Sequence, residues 1–306
     1  MITPSLYGYL TVFHTIVEQG NISKASRSLQ VSVPSVSNTL KALEKELGLT
    51  LFHRSTRNLT LTEAGQRLYD DTKPLIKALQ NSIENIRDLR QTPSGLVRTT
   101  LPRFAYHLLV KPFYAEFCRR YPDVLLEISV FDGTVDIVRE GFDVGIRFGD
   151  KIEDGVVAKP LLPPMKDCLT VSKNYADKYG IPHTPQDLPR HKLIGYRFIT
   201  ANRLLPLELA AGGQKTAIEM PMSLIVNDET DLMTDAVRQG LGIGRIFEST
   251  LALQPDKDEF IPVLQDYWAE YPPVYLYFLQ NSQKIGRVKV WMDFLQEKAK
   301  LFWPET

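Results

Sequence analysis

Only two cysteines occur in 306 residues, Cys118 and Cys168. Two thiols cannot build a metal cluster or a disulfide framework, so both are expected to be buried and reduced. No stretch approaches the roughly eighteen apolar residues of a spanning helix, so no membrane partner is expected. The opening Met-Ile-Thr-Pro-Ser lacks a basic segment followed by an apolar run. That argues against an export leader and for a cytoplasmic protein. Charge of one sign is also missing: 36 Lys+Arg face 36 Asp+Glu. Catalytic signatures are absent as well. There is no Gly-x-Ser-x-Gly, no His-Glu-x-x-His and no Gly-Lys pair of a phosphate loop. The five histidines, His14, His53, His107, His183 and His191, show no ligand spacing. No catalytic residue, metal or cofactor is therefore expected. Gly240-Leu-Gly-Ile-Gly244 resembles a dinucleotide loop only superficially. It follows a helix and opens a strand, the reverse of the required order.

What is present fits an ordinary globular chain, 43% apolar and 24% charged, long enough for two or three domains. Residues 1–95 hold 11 Lys+Arg and 8 Asp+Glu, and the remainder 25 and 28. This asymmetry is mild. The placement of Lys24, Arg27, Lys41, Arg54 and Arg57 matters more.

Residues 22–41 fit two short helices joined by a tight turn. Ser23 is expected to cap the first, whose apolar side is Ile22, Ala25 and Leu29. Ser32 is expected to cap the second, with Pro34 just inside its start, where a missing N–H costs nothing. Val36, Leu40, Leu43 and Leu47 repeat at helical steps and form a buried face. The opposite face carries Ser35, Ser37, Asn38, Lys41 and Lys45. Such a helix pair either enters a DNA major groove or forms a surface hairpin in any soluble protein. Upstream, Leu6, Leu10, Phe13, Ile16 and Val17 predict a supporting helix that Gly20 ends.

The next stretch decides between the two. Gly48 stops the second helix, and Leu49, Leu51 and Phe52 are expected to anchor the chain. Arg54 and Arg57 flank a polar tip, and Leu59 and Leu61 alternate with Thr60 and Thr62 as in a short strand. This is a two-stranded wing. Leu51-Phe52-His53-Arg54 followed by Leu61-Thr62-Glu63-Ala64-Gly65, after the helix pair, resembles the LysR-type transcriptional regulators. The resemblance covers about sixty residues in order and spacing. It departs from the family at Val33, where Gln is usual, and at Asn38, where Arg is frequent. Candidate DNA contacts are Ser23, Lys24, Ser32, Pro34, Ser35, Ser37, Asn38 and Lys41 on the helices and Arg54 and Arg57 on the wing. Hydroxyls and cations suit phosphates, Asn38 an adenine edge, and Pro34 a thymine methyl.

From Glu63 to Arg90 the pattern predicts one long helix. Leu68, Thr72, Leu75 and Leu79 form a seam that Ile83, Ile86 and Leu89 continue with a shift. Pro74 falls inside it, where it should kink the axis. The resemblance implies a dimerisation helix, hence a homodimer or homotetramer. Gln91-Thr92-Pro93-Ser94-Gly95 marks a hinge. Beyond it strands alternate with helices, which predicts a mostly parallel sheet with covering helices. Strands are expected at 96–101, 124–131, 143–148, 167–171, 215–226, 243–247, 260–264 and 274–279. Helices are expected at 106–120, 134–140, from 172, at 229–239 and at 285–302.

The expected fold is α/β with an N-terminal winged helix-turn-helix domain. By the resemblance, two C-terminal α/β lobes fold like type II periplasmic binding proteins. The division is 1–62 for the DNA head, 63–91 for the linker helix, 92–95 for the hinge and 96–306 for an effector domain. Lobe one is 96–164 plus 269–306, and lobe two is 165–268. Strand ends and helix starts should line the cleft. Candidates are Pro102, Arg103, Phe104, Asp132, Gly133, Phe148 and Gly149 from lobe one. Tyr196, Arg197, Asn202, Asn227 and Asp228 come from lobe two. Arg103 and Arg197 either clamp an anion from opposite walls or lie on the surface paired with Asp or Glu, and Arg147 is expected to be a structural ion-pair partner. The implied function is an effector-responsive regulator of promoter DNA, with a small organic acid as effector and RNA polymerase as a partner if it activates. Two rivals are a stand-alone solute-binding module and a metabolic α/β enzyme with an accessory helical domain. The first predicts an export leader, and the second a catalytic constellation.

Overall fold

The computed structural model describes residues 5–54, 59–87, 92–152, 155–211 and 214–303. Two compact units divide the chain, Met1–Ile86 and Arg87–Thr306.

In the first unit, α1 (Leu6–Gln19), α2 (Ile22–Ser28) and α3 (Val33–Leu47) pack around Phe13, Ile16, Ala25, Val36 and Leu43. Burying each of these larger side chains contributes about 1.5–3 kcal/mol. The cap of α2 is Asn21, not Ser23. Its Oδ1 accepts from the backbone N–H of Ser23 at 2.7 Å and of Lys24 at 3.3 Å. The extended backbone at Asn21 sets its carboxamide over the first turn, while Ser23 already lies inside the helix. Ser32 caps α3, accepting from Ser35 N–H at 3.3 Å. Gly48 ends α3 in the left-handed region at φ 68°.

Strands β1 (Phe52–Arg54) and β2 (Leu59–Leu61) pair antiparallel as the wing. Glu44 Oε1 accepts from Leu51 N–H at 2.8 Å, tying the wing to α3. Helix α4 is described over Glu63–Arg87 and runs through Pro74. Leu89 and the Gln91 end of the hinge lie outside the described residues. The expected seam divides. Leu68 packs on the three-helix core. Leu75, Leu79 and Ile83 are 66%, 43% and 45% exposed.

In the second unit, β3 (Gly95–Leu101) leads into α5 (Arg103–Ala105) and a π turn at Tyr106–Val110. Then come α6 (Tyr114–Arg120), β4 (Val124–Val130), α7 (Ile137–Glu140), β5 (Val144–Phe148) and β6 (Val157–Leu162). The single helix expected over 106–120 is broken at Pro112, which cannot donate to the preceding turn. Cys118, on α6, is exposed rather than buried.

The chain continues with β7 (Met165–Ser172), α8 (Lys173–Tyr179), β8 (Leu193–Phe198), β9 (Arg203–Leu205), β10 (Leu207–Ala211) and β11 (Gln214–Ile218). It ends with β12 (Met222–Asn227), α9 (Thr230–Arg238), β13 (Gly244–Phe247), α10 (Glu248–Ala252), β14 (Phe260–Pro262), β15 (Ala269–Tyr271), β16 (Val274–Phe278) and α11 (Gly286–Ala299). The one strand expected at 215–226 is two strands in different sheets, since Pro221 between them has no N–H for a ladder.

One sheet has the order β4-β3-β5-β16-β6. Strand β3 is parallel to β4 and β5, but β16 runs antiparallel to β5 and β6. The other lobe centres on β7, antiparallel to β13, β14 and β15, beside a second sheet in which β8 joins β12 and β9. The sheets are therefore more antiparallel than the alternation predicts. Strand β16 returns to the first lobe only after the second is complete and runs against its neighbours there. The late return also builds the first lobe's core. Trp291 of α11 is buried against Phe117 and donates to Thr99 Oγ1 at 2.8 Å.

Candidate functional site

The expected site residues fall on two surfaces. On the first unit, Ser23, Lys24, Ser32, Pro34, Ser35, Asn38 and Lys41 are exposed, and Ser37 is half-buried. Ser35, Asn38 and Lys41 share one face of α3, opposite buried Val36, Leu40 and Leu43. Arg27 bends back onto its own helix, donating to Ser23 O at 3.3 Å. Arg54 closes β1, and Arg57 lies outside the described residues.

The second surface is a cavity of about 420 Å³ walled by both lobes of the second unit. Six expected effector residues line it: Pro102, Phe104, Asp132, Gly133, Phe148 and Tyr196. Arg103, Gly149, Arg197, Asn202, Asn227 and Asp228 do not. The expected two-arginine clamp is not formed. Arg103 turns to a carboxylate of the other lobe, its Nη2 donating to Glu229 Oε2 at 3.1 Å and its Nε 3.1 Å from Oε1. Beside it, His107 Nε2 lies 2.8 Å from Asp231 Oδ1. Arg197 donates to Asn202 O at 3.3 Å, away from the cavity.

Arg147 is also not the ion-pair partner expected of it. It is buried and lines the cavity. Its guanidinium donates to Phe131 O at 3.0 Å, Gly133 O at 3.2 Å and Thr100 Oγ1 at 3.2 Å. These bonds hold the loop that presents Asp132, and burial lowers the Arg147 pKa. Asp132 accepts from Arg103 N–H at 2.7 Å, yet burial pushes its carboxyl up to about 6.

The lining residues missed in the sequence are those that converge from distant strands. Asp167 of β7 is buried, and its carboxyl is likewise pushed up to about 6 by burial, with Arg245 opposing the shift. Arg245 of β13 donates to Pro206 O at 2.8 Å and Leu205 O at 3.2 Å. Phe104, Phe148, Phe247 and Tyr271 make an aromatic wall, with Phe247 5.2 Å from both Phe104 and Tyr271. A charge inside the apolar run of β7 was the one visible signal for Asp167. Charged lining residues balance. Asp132, Asp150, Asp167, Glu208 and Glu270 face Arg147, Lys151, Arg203, Lys215 and Arg245.

A winged helix pair joined to a bilobed α/β unit with a walled cleft defines a ligand-sensing DNA-binding regulator. Comparison with known proteins gives the family. Residues 8–66 match the bacterial regulatory helix-turn-helix protein, lysR family, and residues 90–300 match the LysR substrate binding domain. The chain belongs to the LysR family of DNA-binding transcriptional regulators, a family without enzymatic activity. It is 28% identical to the HTH-type transcriptional regulator YcaN of Escherichia coli, covering 93% of this chain and 92% of that one. It is 27% identical to the transcriptional activator AaeR of Escherichia coli, covering 96% and 95%. Among solved structures, the full-length virulence activator AphB of Vibrio cholerae aligns with a TM-score of 0.61 and 25% identity, over 94% of this chain and 97% of that one. CrgA of Neisseria meningitidis shares the fold, with a TM-score of 0.60 at 23% identity, over 95% and 98%. Among the described residues, no helix is long and apolar enough to cross a membrane.

Proposed function

We propose that this regulator grips promoter DNA with the exposed face of α3 and the wing, and that a small organic effector bearing a carboxylate occupies the cleft. The observation that carries the sensing half is the walled cavity of about 420 Å³, which both lobes line. The salt link from Arg103 to Glu229 spans the same two lobes. An effector that favours one lobe spacing shifts the population toward it. Arg245 is the cation assigned to the carboxylate. Residues 1–62 serve as the DNA head, 63–91 as the linker helix, 92–95 as the hinge and 96–306 as the effector domain. The exposed Leu75, Leu79 and Ile83 are a dimerisation seam for a homodimer or homotetramer. DNA as a partner implies the cytoplasm, and RNA polymerase is a further partner if the protein activates.

The test is a footprint on genomic fragments selected by the full-length protein, with and without each small molecule that raises its melting temperature. A ligand-dependent change in the protected bases supports the reading. Identical footprints with every ligand that demonstrably binds overturn it.

A further inference from the structure

We infer that the effector carries an ammonium group beside its carboxylate, with Asp167 receiving the ammonium and Arg245 the carboxylate, as in an α-amino acid with an apolar side chain. This rests on the cleft being the effector site, and it narrows the chemistry that site accepts.

Asp167 is the key observation. It is only 9% exposed and faces the cavity. Among the described residues, no hydrogen-bond donor and no ion-pair partner reaches its carboxylate, although Arg245 acts on it through space. A buried carboxylate without donors is costly, and the cost is recovered when a bound group supplies them. A ligand that brings only a carboxylate does the opposite, setting like charge against like.

Arg245 provides the matching half. A guanidinium has five N–H groups, and this one spends two on Pro206 O and Leu205 O. Nε has no partner. Strand register sets the spacing. Asp167 lies opposite Phe247, two residues along β13 from Arg245, so both charges project from one face of the sheet. Diagonal neighbours of this kind are about 7–8 Å apart at Cα. The two do not form an ion pair, and a head group with adjacent ammonium and carboxylate can meet both. Thr250 lies beside them. It is 5% exposed, lines the cavity, and its Oγ1 has no hydrogen-bond partner. The aromatic wall of Phe148, Phe247 and Tyr271, with 5.2 Å between Phe148 and Tyr271, suits an apolar side chain.

The experiment is calorimetric titration of the full-length protein with phenylalanine, leucine and methionine. Matched probes lack the ammonium (3-phenylpropanoate, 4-methylpentanoate) or the carboxylate (phenethylamine). The wild type, Asp167→Asn and Arg245→Met are compared, with melting curves to show that each is folded. The expected result is that at least one amino acid binds and its truncated analogues bind about tenfold or more weakly, the scale of one charge-assisted hydrogen bond. Asp167→Asn then loses the preference for the amino acid over its ammonium-free analogue. If ammonium-free acids bind as tightly, or if Asp167→Asn keeps wild-type affinity, the inference is overturned while the cleft reading stands. Silence from every probe overturns the inference too, and the cleft is then judged by the footprint test alone.

Discussion

A Cβ placed on Gly65 would overlap the carbonyl oxygen of Leu51. The contact lies where α4 starts against the base of the wing. Gly65 N–H donates to Thr62 Oγ1 at 3.0 Å, and Thr62 Oγ1 donates to Thr50 O at 2.8 Å. The Leu-Thr-Glu-Ala-Gly segment is therefore a joint. Thr62 bridges the two chain passes, and Gly65 lets them approach.

Gly65→Ala should destabilise the first unit by about 1–3 kcal/mol, because backbone and not a flexible side chain must move. Circular-dichroism melting of the full-length protein reads this. A wild-type melting temperature would show that the joint tolerates a methyl group.

On DNA, Arg54→Ala should weaken binding to every sequence and flatten the salt dependence by about 0.9 in log–log slope, if one phosphate contact is lost. Asn38→Ala should act differently, costing about 1–3 kcal/mol at preferred sites and little elsewhere. Fluorescence anisotropy at several salt concentrations, on selected and random duplexes, separates the two. Uniform loss for Asn38→Ala would remove it from base reading.

The bridge between Arg103 and Glu229 predicts a change in lobe mobility. Arg103→Ala should speed amide exchange in α5 and at the start of α9, since Glu229 and Asp231 lose their cation. The charge pair is partly exposed, so a modest stability change, within about 1 kcal/mol, is expected. Unchanged exchange in both segments would mean that the aromatic contact between Phe104 and Phe247 holds the lobes unaided.

His14 predicts the pH response of the first unit. It is 5% exposed, and its Nε2 lies 2.7 Å from Thr72 Oγ1. Thr72 gives its own proton to Leu68 O. Nε2 must therefore donate, which places a proton on Nε2. Burial, then Lys73, lowers its pKa from 6.5 to about 4. The unfolded chain thus takes the proton first. Stability is full above pH 6.5 and falls as pH drops toward 4, by up to about 3 kcal/mol. His14→Gln should show a shallower decline across that window when melting is followed against pH. Parallel curves would assign the acid loss to other groups.

The first unit was legible in the linear chain because its information is local. Alternating apolar steps gave α1, α3 and α4, and Pro34 and Gly48 bounded the reading helix. The family signature in 51–65 is one joint built from neighbouring residues. Even here α2 is capped by Asn21 rather than the expected Ser23, because both side chains can accept from a backbone N–H and only backbone conformation decides which stands at the helix start.

The cleft was half legible. Strand ends such as Pro102, Phe104, Asp132 and Tyr196 could be located from the α/β alternation. Whether Arg103 faced a ligand or Glu229 depended on how closely the lobes approach, which no local pattern encodes. Asp167 and Arg245 stand 78 positions apart in the chain and become diagonal neighbours only through the pairing of β7 with β13. The sequence by itself determined the helical head and its exposed polar face, since hydrophobic periodicity and turn residues act over a few positions. Tertiary structure alone decided which charges are paired and which are left facing the cavity. Burial and partner distance are set by the packing of whole strands, and these determine what an ionised group costs.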